Sequence, residues 1–405
     1  MLAVLTTHPI QYQIPIWKAL SVRRNVPLHV IYMSDLGFAH RCDPGFGSDF
    51  AWDIDLLTGY DHEFIKVQTG SSQSSFLWLR LGTGFGKMLK AMGVRVLWVQ
   101  GWQVAAYWQA VREARRVGVQ VWLRGETNLR SNAGGPLKVL KRGLLSRLLA
   151  RVDRFLYIGE ANRQFYISQG IRANQMMFAP YCVDNARFAA QASRLRSQRQ
   201  ALRRHWCIPE DAFCFLFLGK LISKKRPGDL VDALRGLRMK GTKRPLHLLF
   251  VGTGELDDAL RQACLIAFDE ENRTSHGRNA GPAASFAGFL NQTAVSQAYV
   301  AADCLVLPSD ARETWGLVVN EAMASGLPCV TSDACGCTED LILPTYPELS
   351  YPVGDIARLQ QSLEAVMTNQ PSSHRLIAHI DNYDVLRTVE TVERLYADAC
   401  NGTTA

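Results

Sequence analysis

The sequence predicts an α/β protein built from two doubly wound, parallel-sheet domains facing one another. Three observations carry this. At 405 residues, the chain is long enough for two domains of ordinary size. Short apolar, β-branched runs alternate with helical stretches through both halves, as successive βαβ units require. The alternation pauses near Ala179-Pro-Tyr-Cys-Val-Asp184, where a polar, arginine-rich helix from about Ala189 to Trp206 leads into the second half.

In the first half, strands are expected at Leu2–Leu5, Leu28–Met33, Val94–Gln100, Val119–Arg124 and Arg154–Ile158. Helices fall between several of them, for example Ile14–Val22 and Ala105–Val117. The second half repeats the pattern with Phe213–Leu218, Leu246–Val251, Ala284–Ala287, Cys304–Pro308 and Pro328–Thr331. The expected domains are 1–188 and 189–380, followed by a terminal segment, 381–405, with a last helix at Tyr383–Cys400. In such sheets a ligand lies at the carboxyl ends of the strands, here in the crevice between the two domains.

Composition narrows the class. Hydrophobic residues make up 47% and charged residues 20%, which excludes a disordered chain. No apolar run approaches the roughly 20 residues that cross a bilayer. The opening Met-Leu-Ala-Val-Leu-Thr-Thr-His-Pro reads as a buried strand, not a signal peptide, so a cytoplasmic protein is expected. The ten cysteines are scattered singly, many in apolar runs, as reduced buried thiols are. Cys335-Gly-Cys337 has no matching second pair, so no zinc site is expected. The formal charge of +8 would attract nucleic acid, an anionic membrane or a phosphorylated ligand. With no recognised nucleic-acid motif, nucleic acid is set aside.

One constellation carries chemistry. From Leu305 a strand runs to Pro308, a polar loop follows, and Gly316 opens a helix with Leu317, Val318 and Ala322. A helix N-terminus offers unpaired N–H groups and a positive dipole end to a phosphate. Glu313 stands just before that end, and Glu321 lies eight residues later. A carboxylate can accept from two vicinal hydroxyls at once, so one could hold a sugar and the other a ribose. Spacing alone allows a plainer reading, in which both glutamates lie on a solvated helix face. Earlier, a strand ends at Gly219, and Lys220 and Lys225 frame a short loop. They either meet an anion or, with Lys224 and Arg226, form a solvated charge cluster. Gly252-Thr-Gly254 follows an apolar strand, but Asp257 occupies the third glycine position of a dinucleotide fingerprint.

The segment Glu313-Thr-Trp-Gly-Leu-Val-Val-Asn-Glu321 resembles the Glu-x7-Glu donor motif of the retaining GT-B glycosyltransferases, family four. The resemblance covers the second domain through further ordered blocks: Phe217–Pro227, Leu249–Glu255, Phe286–Phe289, Tyr299–Asp303 and Gly326–Val330. It implies a GT-B fold and transfer of a sugar from a nucleoside diphosphate, uridine favoured, with retained anomeric configuration. It also implies a last helix packed back on the first domain. Lys220 and Lys225 would hold the diphosphate, Glu321 the ribose, and Glu313 with the Trp315–Val318 backbone (Gly316 and Leu317 included) the sugar and phosphate. Gly219, Gly252 and Phe289 would lie near the nucleotide. Lys220 stands where the family usually has arginine, and loses the bidentate fork. Trp315 stands where phenylalanine is common. Two lysines and a helix end can stabilise a leaving diphosphate without a metal. Hence neither a metal nor a tightly bound cofactor is expected, only the nucleotide sugar as co-substrate. Asp53-Ile-Asp55 matches a metal-binding Asp-x-Asp superficially and is read as strand and turn.

The acceptor side is less defined. Thr7-His-Pro-Ile-Gln-Tyr12 follows the first strand and resembles a surface-polysaccharide branch of the family. His8 and Gln11 lie there; His8 either orients an acceptor hydroxyl, contacts the donor, or is a strand-end histidine satisfied by backbone. Gln100-Gly-Trp102 and Arg124-Gly-Glu-Thr127 also follow strands, so Gln100, Trp102 and Glu126 join the acceptor set. The acceptor is expected to be a glycan or lipid-linked hydroxyl. The basic segment 136–154 and Phe76-Leu-Trp-Leu79 would suit an anionic membrane surface at the inner leaflet, or else an ordinary packed helix and loop. A sugar-nucleotide epimerase or hydrolase, and a non-catalytic partner subunit, are the competing readings.

Overall fold

The computed structural model describes residues 1–36, 41–43, 48–72, 74–130, 138–242, 244–274 and 283–402. The chain divides into two compact units. The first holds Met1–Arg41, Asp55–Tyr181 and Asp384–Ala405, and the second Cys42–Ile54 and Cys182–Tyr383. The second unit thus includes a short stretch that the sequence left inside the first domain.

The first unit is built on seven strands: β1 (Leu2–Thr6), β2 (Leu28–Tyr32), β3 (His62–Phe64), β4 (Val96–Val99), β5 (Gln120–Leu123), β6 (Arg154–Tyr157) and β7 (Met176–Phe178). Their order is β7-β6-β5-β4-β1-β2-β3, every pair parallel. The central strands are buried end to end, which is why they read as unbroken apolar runs. Sequence missed β3 and β7, three-residue edges in which half-buried or polar positions dilute the signal. Helix Ile14–Arg23 buries Ile14, Ile16, Trp17 and Leu20. The closing helix Val385–Cys400 starts at Asp384, whose side chain accepts from the Leu386 amide, a standard helix cap. It belongs to this unit: Glu393 pairs with Arg23 at 2.9 Å, and the Thr388 hydroxyl donates to the Pro180 carbonyl.

The second unit is built on a six-stranded sheet: β8 (Phe213–Leu218), β9 (Leu246–Val251), β10 (Ala284–Gly288), β11 (Cys304–Leu307), β12 (Cys329–Ser332) and β13 (Ser350–Tyr351). Their order is β10-β9-β8-β11-β12-β13, again parallel. Counted from its own first strand, this is 3-2-1-4-5-6, the Rossmann order. The arginine-rich helix expected from Ala189 starts earlier and is broken. It forms Asn185–Leu195, a 3-10 turn at Arg196–Gln198, and Arg199–His205. Its arginines are not merely solvated. Arg199 and Arg203 pair with Asp303 at 2.9 and 3.2 Å, and buried Arg203 also donates to the carbonyls of Ala301, Pro209 and Ala212.

Among the described residues, no helix is long and apolar enough to cross a membrane. Residues 136 and 137 of the basic segment lie outside the described residues; the rest begins a helix, Lys138–Leu149.

Candidate functional site

In each sheet the strand order reverses beside the first strand, and ligands of doubly wound sheets gather at the carboxyl ends there. In the second unit this point lies between β8 and β11. Gly219 leaves β8 with φ 149°, and its amide donates to the Val251 carbonyl at 2.9 Å. The loop after β9 approaches so closely that a Cβ on Gly252, itself at φ +130°, would sit 2.0 Å from the Gly219 carbonyl oxygen. Only glycine fits there. The lysine loop then makes a 3-10 turn, Ser223–Lys225. Arg226 follows in a left-handed conformation at φ 49°, held by two hydrogen bonds to Asp229 at 2.8 and 3.0 Å.

The loop after β11 is tied to this turn: the Asp310 amide donates to the Lys224 carbonyl at 2.8 Å. Glu313 follows, and its carboxylate forms an ion pair with the Lys225 ammonium, the side chains being 12% and 15% exposed. The turn after β12 supports the same loop. The Gly336 amide donates to the Glu313 carbonyl and the Cys337 amide to the Trp315 carbonyl, at 3.2 and 3.1 Å. Gly316, at φ 109°, caps the helix Leu317–Ala324. Trp315 is buried and donates its indole N–H to Asn320 at 2.8 Å, so the residue can meet a ligand only through its backbone. Cys335 and Cys337 are fully buried beneath these loops; burial pushes the Cys335 thiol up to about 12, as expected of a packing residue.

Glu321 is not on a solvated face. It is only 9% exposed, and the Tyr299 hydroxyl donates to its carboxylate at 2.5 Å. Burial raises its pKa above the ordinary value, opposed by the hydrogen bond from Tyr299, the charge of Arg187 and a hydrogen bond from Gln292. Sequence reasoning did not single out Tyr299, Gln292, Arg187 or Asn320 as functional side chains. Tyr299 lies inside a block quoted for its order, and nothing in spacing says which way its hydroxyl points.

Strand ends therefore bring together Gly219, Lys220, Lys225, Gly252, Glu313 and the Trp315–Val318 backbone. Phe289 follows the edge strand β10. Asp53 and Asp55 do not act as a pair. Asp53 accepts from the Thr293 amide at 3.2 Å, whereas Asp55 pairs with Lys18 at 2.9 Å and accepts from the Leu57 and Thr58 amides. The stretch Ala51–Ile54 is loop and bend rather than the strand expected. Among the described residues, no group of three or more His, Cys, Asp or Glu side chains is placed to hold a metal ion.

In the first unit the corresponding point lies between β1 and β4. His8, half-buried just beyond β1, shares a 2.9 Å hydrogen bond with the Thr7 hydroxyl. Gln11 is half-buried before the first helix. Gln100 is buried beyond β4, and its side-chain amide nitrogen has no hydrogen-bond partner among the described residues. Trp102 packs over Gly125 and stacks on Phe165 at 5.8 Å. The Glu126 carboxylate accepts from the Tyr181 hydroxyl at 2.5 Å. The Tyr181 ring meets Tyr12 edge-on and lies under the Arg124 guanidinium, each at 5.3 Å. Of this set, Trp102 serves the packing as well as the surface, and Glu126 is oriented by a neighbour.

Two family models match the chain: Glycosyl transferases group 1 over residues 198–382, and Glycosyl transferase 4-like domain over residues 47–182. The chain belongs to the group 1, family four glycosyltransferases. Within this family it is similar to a GDP-mannose-dependent alpha-mannosyltransferase of Mycobacterium tuberculosis. Identity is 31% over 270 residues, 65% of this chain and 62% of the relative. The match thus spans less than two thirds of that relative's length. A shorter match, 52% identical over 68 residues, links it to a sulfoquinovosyl transferase of Arabidopsis thaliana, covering 17% of this chain and 13% of that one. Among solved structures it resembles a glycosyltransferase from Rickettsia africae, with a TM-score of 0.71, 11% identity and 99% of both chains covered. It also resembles an Anabaena protein solved in complex with UDP, with a TM-score of 0.67, 16% identity, and 98% and 99% covered. The fold of this family-four chain is GT-B, two Rossmann-like α/β domains.

Proposed function

We propose that the chain transfers a sugar from a nucleoside diphosphate to a hydroxyl acceptor, retaining the anomeric configuration, with the donor held by the second unit. The observation that carries this reading is the Lys225–Glu313 pair at the strand-order reversal, beside the Gly316-capped helix start. A diphosphate that leaves gains charge, and fixed cations and helix N–H groups stabilise it without reorganising. Lys225 and Lys220 take the diphosphate. The Trp315–Val318 backbone takes the phosphate, and Glu313 the sugar hydroxyls. Glu321 takes the ribose. Attack comes from the face that the diphosphate leaves, with no protein nucleophile and no metal.

The name of the mycobacterial relative favours GDP-mannose as the donor, whereas family frequency and the Anabaena complex favour a UDP-sugar. The acceptor contacts come from the strand ends of the first unit: His8, Gln11, Gln100, Trp102 and Glu126. The acceptor is a glycan or lipid-linked hydroxyl in bacterial surface-glycan synthesis, at the cytoplasmic face of the membrane. Phe76 and Leu77 are 46% and 53% exposed, and Arg147 and Arg151 lie at and just beyond the end of the basic helix. Exposed apolar and cationic side chains are what an anionic interface would take up.

The test is release of nucleoside diphosphate from a panel of UDP- and GDP-sugars. The wild type should turn over one of them, chelator should leave that rate intact, and Glu313→Ala and Lys225→Ala should abolish it. Variants that match the wild type would remove the donor site from this account. Binding to anionic vesicles should weaken when Arg147 and Arg151 are neutralised; unchanged binding removes the membrane contact.

A further inference from the structure

Glu321 reaches its position through a chain of polar contacts that the reaction itself does not require. The Tyr299 hydroxyl donates to one carboxylate oxygen at 2.5 Å. Gln292 donates to the carboxylate as well. A side-chain amide has one accepting and one donating end, and here Arg187 decides which end faces Glu321. Its guanidinium, which can only donate, bonds the Gln292 side-chain oxygen at 2.7 Å and the Gln292 backbone carbonyl at 3.1 Å. The amide NH2 is left for Glu321. The residues on either side of Gln292 are pinned in turn: Asn291 donates to the Ala51 carbonyl at 2.9 Å, and the Thr293 amide and hydroxyl donate to Asp53. Gln292 is therefore fixed in both backbone and side chain.

We propose that Tyr299 and Gln292 are positioning residues that aim the Glu321 carboxylate at the ribose diol, and so make the site selective for ribonucleotide over deoxyribonucleotide donors. The inference rests on the reading that Glu321 takes the ribose. Two donors on one carboxylate fix its plane, which leaves its remaining lone pairs in one direction. Vicinal hydroxyls, held at a fixed spacing by the furanose, need such a fixed acceptor. Tyr299 keeps its proton throughout, because burial and the adjoining carboxylate hold its phenol well above the ordinary range. It therefore acts as a hydrogen-bond donor.

The experiment measures equilibrium binding of UDP and GDP, each against its 2′,3′-dideoxy form, to the full-length wild type and to Tyr299→Phe, Gln292→Leu and Glu321→Ala. For whichever nucleotide binds, the wild type should prefer the ribose form by on the order of tenfold or more, as charge-assisted hydrogen bonds allow. Tyr299→Phe and Gln292→Leu should each shrink that preference to within about threefold while leaving dideoxy affinity within about twofold, since only the diol contacts are lost. If both variants keep the wild-type preference while Glu321→Ala loses it, the ribose reading stands and the positioning role is wrong. If Glu321→Ala keeps the preference, the ribose reading fails and takes the proposal with it. Equal weakening of both nucleotide forms would show a purely structural role and overturn the proposal. Each variant is melted first, and Gln292→Leu decides the matter if Tyr299→Phe does not fold.

Discussion

Removing Lys225 should damage nucleotide binding by more than one lost contact, because its partner stays behind. Lys225 and Glu313 are 15% and 12% exposed and ion-paired, so solvent screens their charges only in part. In Lys225→Ala, an incoming diphosphate loses a charge-assisted hydrogen bond of about 1.5–3 kcal/mol. It also meets a carboxylate no longer offset by that cation. Two unit charges about 4 Å apart repel by roughly 4 kcal/mol at an effective dielectric near 20; halving this for the remaining exposure adds about 2 kcal/mol. The affinity for nucleoside diphosphate should therefore fall by about 3.5–5 kcal/mol, roughly several hundredfold to several thousandfold. Glu313→Gln alone should leave that affinity unchanged or improved, while turnover of the nucleotide sugar collapses. In the double variant, about 1–3 kcal/mol of the Lys225→Ala loss should return as the coupling between neighbouring charges. Titration calorimetry of the four proteins with UDP or GDP gives all the terms. An additive cycle, or Lys225→Ala affinity within about threefold of wild type, would refute the reasoning.

Gly252→Ala should cost about 2 kcal/mol or more and weaken nucleotide binding, because its Cβ would meet the Gly219 carbonyl oxygen at 2.0 Å. Gly228→Ala, where a Cβ meets nothing within 4 Å, should stay within about 0.5 kcal/mol on denaturant melting. Trp315→Phe installs the residue common in the family but removes the indole hydrogen bond to Asn320; a loss of about 1–3 kcal/mol is expected on thermal unfolding. Glu321 has its carboxyl raised by burial, so the folded state holds its proton to higher pH than the unfolded chain. That group's contribution becomes less favourable as pH climbs from the ordinary carboxylate range through the raised value. Glu321→Gln should therefore melt higher than wild type at neutral pH, with the gain fading under acid, and should bind nucleotide worse. A variant that gains equally at all pH values would contradict that cause.

Much of the fold was legible because parallel strands buried on both faces advertise themselves as apolar runs. Phe213–Leu218 and Leu246–Val251 match residue for residue. What stayed hidden was short or conditional. His62–Phe64 and Ser350–Tyr351 are edge strands of three and two residues, below any useful period. The break at Arg196–Gln198 comes where neighbouring arginines turn to the half-buried Asp303, a tertiary demand that helix periodicity does not record. At the site, the sequence showed Glu313, Lys225 and the Gly316 helix start through their order along β-loop-α units. It could not show that Glu321 is buried, because eight-residue spacing is equally at home on an exposed face. Nor could it show that Asp53 and Asp55, two residues apart, fall into different compact units. Family resemblance covered the donor side; the Tyr181–Glu126 contact joins residues 55 apart in sequence, and only the fold brings them together.

Structure determination with bound UDP or GDP, whichever binds, tests the central claim most directly. The donor-site account predicts the diphosphate within hydrogen-bond distance of the Lys225 ammonium and the backbone at the start of the helix Leu317–Ala324, with the ribose hydroxyls on Glu321. A nucleotide seated elsewhere, with Lys225 still paired only to Glu313 and Glu321 untouched, would contradict it.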